Sequence, residues 1–99
     1  MSTPETLTPK FVDSDSPFSI YCNNTAIVLS PWDIRIKLME MVDNEDGSPV
    51  IKKHGTVVMS PVHAKAMWEA MQETIRRYEE TFGEIDLSKV KAAVNASSE

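Results

Sequence analysis

Much of what a chemically active protein needs is scarce in this chain. Among 99 residues there is one cysteine, Cys22, so no intramolecular disulfide can form and nothing suggests an oxidising compartment. There are two histidines and three glycines; the glycines are scattered, which excludes a glycine-rich cradle for phosphate. No apolar run approaches the roughly eighteen residues of a membrane span, and the opening MSTPETLTPKFVDSDSP has no apolar signal core. A soluble cytoplasmic protein, not associated with a membrane, is expected. The net charge is −5, from three basic and eight acidic residues in positions 1–50 and seven of each in positions 51–99. Acidity concentrated in the N-terminal half argues against a global attraction to phosphate, and with it against nucleic acid or anionic membrane.

What the chain does have is one well-marked amphipathic helix, predicted at about 61 to 82. Ser60 is placed to cap it and Pro61 suits its first position, where the missing N–H would be unpaired in any case. Ala64, Met67, Trp68, Met71, Ile75, Tyr78 and Phe82 recur at spacings of three and four, so they form one apolar stripe that must be buried. Glu69, Glu73, Arg76, Arg77 and Glu80 take the other side. Glu73 with Arg77, and Arg76 with Glu80, are i,i+4 pairs that support the helix by a few tenths of a kcal/mol each. Gly83 follows, where a left-handed residue is wanted.

Read from the start, residues 1–16 are rich in Ser, Thr, Pro and Asp and are expected to form a disordered tail. A single domain is expected over 17–94, with 95–99 frayed. Phe18 to Tyr21 has a β-like composition, and Thr25 to Leu29 continues it beyond Asn23-Asn24 as a second short strand or past a bulge. In Thr25 to Leu29 both faces are apolar, so a cover on each side is expected. From Trp32 to Val42, Ile34, Ile36 and Leu38 alternate with Arg35 and Lys37, which favours a strand; Ser30-Pro31-Trp32-Asp33 also resembles a capping box, so a helix competes. Asp43 to Pro49 is a polar hairpin tip. Val50-Ile51 and then Gly55 to Met59 form the returning strand, with His54 in a polar turn between. After Gly83, Ile85 can fold back on the helix, and Asp86 can cap a short second helix with Leu87, Val90 and Val94 as its stripe. The fold class is α+β: a small antiparallel sheet of three or four strands, packed by one long C-terminal helix, with a short terminal helix.

The candidate reactive groups each have a plainer reading. Cys22 as a nucleophile would need a base that neither His54 nor His63 supplies by position, so it reads as a small buried packing residue. Asp43, Glu45 and Asp46 with Asn44 and Gly47 echo a calcium loop, but the twelfth position, which should be a bidentate Glu, is His54. No catalytic, cofactor-binding or metal-ligating set is assigned, and no enzyme activity is expected. Met39, Met41, Met59, Met67 and Met71 could line an adaptable groove, although such residues are more often core. Trp32, at a strand entrance, is a contact candidate.

The combined order of Tyr21-Cys22-Asn23, Ser30-Pro31-Trp32-Asp33 with an alternating strand, Val57-Val58-Met59-Ser60-Pro61-Val62-His63-Ala64-Lys65, and Tyr78-Glu79 through Phe82-Gly83 to Ile85 resembles the DUF3467 family of small bacterial and archaeal proteins over about residues 18 to 85. Cys22 stands where the family tends to have alanine. The resemblance implies one domain and carries no activity. Function is therefore read from surface: a thin sheet with two apolar faces and one helix leaves apolar area over. The expectation is a non-enzymatic interaction or adaptor module acting as a homodimer, with Trp32, Trp68, Met71, Ile75 and Tyr78 as partner contacts and room for a further protein partner. The alternative is a small nucleic-acid-binding or regulatory protein presenting Arg35 and Lys37 from one strand face.

Overall fold

The computed structural model of the chain describes residues 7–88 and residue 90. Three strands and one helix follow in order: β1 (Asn24–Leu29), β2 (Ile34–Asp43), β3 (Pro49–Met59) and α1 (Pro61–Phe82). The strands form one antiparallel sheet in the order β1-β2-β3, which makes the fold α+β. Contacts divide the chain into two compact units: the residues up to Ala26 together with Lys37–Thr56, and Ile27–Ile36 together with the chain from Val57 onward. Residues 7–16 carry neither helix nor strand and are exposed.

In the first unit the sheet begins at an asparagine. The Asn23 backbone N–H donates to the Met39 carbonyl at 3.2 Å. Its side chain extends the pairing: Oδ1 accepts the Met41 N–H at 2.7 Å and Nδ2 donates to the Met41 carbonyl at 3.3 Å. The amide thus stands in for a peptide group in the ladder. Phe18 to Tyr21, expected as β, is not a strand; its composition suits one, but the Asn23 side chain already takes the ladder position at Met41. Cys22, expected to be buried, is free and only half-buried.

The β2–β3 hairpin turns at Asn44 to Ser48. Asn44 N–H donates to the Ser48 carbonyl at 2.8 Å and Gly47 N–H to the Asn44 carbonyl at 2.9 Å, with Gly47 at φ 85°, a value that costs glycine little. Asp46 commits one carboxylate oxygen to the turn. Its Oδ1 accepts both the Ser48 hydroxyl at 2.6 Å and the Ser48 N–H at 2.9 Å, and these bonds hold its pKa below the usual carboxylate value, the hydroxyl contributing most. β3 is continuous, so His54 lies in a strand and not in a turn. Counting back from the Asn44 and Ser48 pair puts Lys52 opposite Glu40 and makes His54 a diagonal neighbour, and His54 Nε2 lies 3.1 Å from Glu40 Oε1. Pro49 is tolerated because it is the first residue of an edge strand.

In the second unit, Ser30-Pro31-Trp32-Asp33 closes the β1–β2 hairpin and caps no helix. Ser30 N–H donates to the Asp33 carbonyl at 3.0 Å. The Ser30 hydroxyl oxygen accepts the N–H groups of Trp32 and Asp33, both at 3.1 Å. These bonds close the four residues between the strands, and β2 follows as a strand. α1 begins as expected: Ser60 Oγ accepts the His63 N–H at 3.1 Å and Pro61 occupies the first turn. It ends at Gly83, whose N–H reaches the Glu79 carbonyl at 3.0 Å. The glycine has positive φ, as expected, yet at φ 107° and ψ 163° it is extended and not left-handed helical. That region is open essentially to glycine alone, and it sends the chain away from the helix axis, where Ile85 N–H donates to Glu79 Oε2 at 2.9 Å. The expected short second helix is not seen as an element. Asp86 Oδ1 accepts the Ser88 N–H at 2.9 Å, but most of that stretch, Val94 included, lies outside the described residues, as do 95–99.

None of the described residues is buried. The alternation of β2 is visible as half-buried Ile34, Ile36 and Leu38 against exposed Arg35 and Lys37, yet this coverage is partial. On β1, Ala26 is half-buried while Ile27, Val28 and Leu29 are exposed. The two-sided cover expected for this strand is absent among the described residues.

Two tests follow. Asn23→Ala removes both side-chain bonds to Met41 and should lower stability by about 1 kcal/mol, read as a lower urea midpoint at unchanged slope; an unchanged midpoint would remove the ladder role. For Asp46, the folded pKa lies below the unfolded one. Its contribution to the hairpin is therefore complete above the unfolded value and lost as pH falls through the folded one. A carboxyl titration by NMR should place its midpoint below about 3.9, and Ser48→Ala should move it upward.

Candidate interaction site

The helix supplies a coherent apolar face. The 22 residues of α1 place Ala64, Met67, Trp68, Met71, Ile75, Tyr78 and Phe82 along one side. Only Ala64 and Met67, in the first two turns, are half-buried. Beyond them Trp68 is 56% exposed, Tyr78 50% and Phe82 74%, with Met71 and Ile75 also exposed. Among the described residues, the burial that periodicity demands is not met. The face is nonetheless ordered: Tyr78 and Phe82 are one turn apart with ring centroids at 5.0 Å and a 46° tilt, an arrangement aromatic pairs favour.

The opposite side is built for water. Arg76 binds Glu73 and Glu80, and Arg77 Nε lies 3.3 Å from Glu73 Oε1. Hydrogen bonding from Arg76 holds Glu73 below the usual carboxylate value and raises Arg76 in return. These solvated pairs are worth little individually, but they mark which side of the helix faces solvent.

Trp32 is 83% exposed at the tip of the β1–β2 hairpin, where the Ser30 hydroxyl holds its backbone. Trp68, Met71, Ile75 and Tyr78 thus share one helix face, while Trp32 stands on a different element. Phe82 is the one exposed residue of this face that is not among the expected contacts. Its place in the stripe was the available signal, and its exposure is what adds it.

The sheet edges differ. β3 opens with a proline and carries Lys52 and Lys53, devices that discourage pairing with another strand, whereas β1, NTAIVL, carries no charge. As for the basic strand residues, Arg35 Nε is 3.3 Å from Asp33 Oδ1. In the other unit, Lys37 and Lys53 line a shallow groove with Met39, His54, Gly55 and Thr56. Among the described residues no group of three or more His, Cys, Asp or Glu side chains could hold a metal ion, and no helix is long and apolar enough to cross a membrane.

Comparison with curated proteins and with solved structures found no match. The profile of the family described as "Protein of unknown function (DUF3467)" matches residues 1–87, a stretch that takes in the N-terminal segment as well as every strand and the helix. The chain belongs to the DUF3467 family.

Proposed function

We propose that this protein is a non-enzymatic interaction module of the cytoplasm that acts as a homodimer, and that the dimer presents the surface to which a further protein partner binds. The observation that carries this reading is the exposed face of α1. Monomeric proteins rarely expose contiguous apolar patches beyond a few hundred Å². A chain of this size has little core to spare, and here none of the described residues is buried. The residue types on the face, Trp, Tyr, Phe and Met, are those enriched where protein surfaces meet. A single half-buried free cysteine suits a reducing compartment.

The nucleic-acid reading is the weaker one. Arg35 is already engaged by Asp33, and a chain of net charge −5 gains little from counterion release.

Size-exclusion chromatography with light scattering on the untagged protein should give a mass near twice 11.1 kDa. The peak should carry no excess absorbance at 260 nm. Met71→Glu, which would bury an unpaired charge, should weaken the dimer at least tenfold, roughly 1.4 kcal/mol, while Arg77→Glu on the outer side should not. With Trp32→Phe leaving Trp68 as the one indole, emission should shift to the blue as concentration rises. A monomer at every concentration would overturn the reading, and salt-sensitive retention on nucleic acid would replace it with the alternative.

A further inference from the structure

The dimer reading leaves open which surfaces meet, and the spacing within α1 narrows it. Ala64, Trp68, Met71, Ile75, Tyr78 and Phe82 follow one another at intervals of four, three, four, three and four, a heptad pattern in which Trp68, Ile75 and Phe82 occupy a positions and Ala64, Met71 and Tyr78 occupy d positions. A period of 3.5 is the pattern of a helix that packs along its length against another helix. Fewer than three heptads is too short for a free-standing coiled coil, but it suffices for an interface between chains folded by other means. Resting on the homodimer reading above, we propose that α1 pairs antiparallel with α1 of a second copy, about a two-fold axis at the level of Gln72 to Thr74.

The sequence is self-complementary in that register and not in the parallel one. Antiparallel, each a residue meets a d residue of the copy: Ala64 against Phe82, Trp68 against Tyr78, and Met71 against Ile75. The small Ala64, half-buried in its own chain, leaves room for the most exposed ring of the face. Parallel, the same residues would meet their own kind, placing Trp68 on Trp68 and Phe82 on Phe82 while leaving a gap between two alanines.

The flanking positions give a second, independent argument. Lys65, Gln72 and Glu79 are the e positions. In the antiparallel register Lys65 faces Glu79 of the copy on both sides of the axis, and Gln72 faces Gln72. Among the described residues Lys65 has no acidic partner, whereas Arg76 and Arg77 on the outer side are paired. Glu79 uses Oε2 for the Ile85 N–H, and its other oxygen can accept Lys65. On the far flank Met67 faces Thr81 and Thr74 faces Thr74, so no like charges oppose each other. In a parallel pair Lys65 and Glu79 would be fourteen residues, about 21 Å, apart, and neither would gain a partner.

The area is adequate. Aromatic side chains bury about 150–250 Å² each; with Trp68, Tyr78 and Phe82 half or more exposed and Met71 and Ile75 contributing, each copy has on the order of 500 Å² of this face to cover. The total, about 1,000 Å² over two copies, reaches the lower range of specific interfaces.

The test uses the full chain in a Cys22→Ser background, with disulfide trapping and light scattering run together. Gln72→Cys, beside the axis, should oxidise readily to a covalent dimer, while Lys65→Cys, about 21 Å from its own copy, should not. Lys65→Glu and Glu79→Lys should each weaken the dimer about tenfold, since every change acts twice. The double variant K65E/E79K should return to within about twofold of the parent. A dimer that forms with no cross-link at Gln72→Cys and ignores the charge reversals would overturn the antiparallel pairing and leave the homodimer reading standing. Equal cross-linking at both positions would likewise overturn it, in favour of a parallel pair. A monomer throughout would remove both.

Discussion

Apolar area without cover governs this protein. Burial of such area is the main favourable term in folding, and the described residues retain partial cover where a domain of this length needs a core. The hairpin turns, the helix cap and the surface ion pairs fix local geometry, but each is worth from a few tenths to about 1 kcal/mol. They cannot replace the missing term. If the face of α1 is covered by another chain, folding and association share one free energy, and the apparent stability of the fold rises with protein concentration.

The local geometry itself rests on one repeated device. At four boundaries an oxygen of a short polar side chain accepts a backbone N–H two or three residues on: Ser30 from Trp32 and Asp33, Asp46 from Ser48, Ser60 from His63, and Asp86 from Ser88. Serine and aspartate do this because their reach matches the spacing of a turn or a first helical turn. The consequence for function is that the Trp32 tip and the start of α1 are held by bonds that need no core. Exposed aromatic residues can then be held in place by a chain whose apolar surface is still open.

Most of the architecture was legible because it is encoded over short range. The limits of α1 follow from Ser60, Pro61 and Gly83, and β2 from the alternation of Ile34, Ile36 and Leu38. The hairpin tip follows from its polar cluster and Gly47. Misreadings fell where a partner distant in sequence decides. Phe18 to Tyr21 has the composition of a strand, but Asn23 reaches Met41, 18 residues away, and occupies the ladder instead. His54, expected in a polar turn, lies instead in the continuous edge strand β3, where the charges of Lys52 and Lys53 are tolerated and Glu40, 14 residues back, lies beside it. For Gly83 the sequence predicts the sign of φ but not ψ, which depends on where the chain goes next.

Among the candidate contacts, Trp68, Met71, Ile75 and Tyr78 were named from periodicity, which specifies a face and says nothing of what lies against it. The sequence by itself determined the class of fold, the ends of the helix and the membership of its apolar stripe, because capping, turn chemistry and side-chain period act within a few residues. Only the tertiary structure decided that, among the described residues, the stripe stays uncovered beyond its first two turns, that Cys22 is half-exposed and that Phe82 is the most exposed ring of the stripe. Burial depends on which segments meet in space, and no local pattern records that.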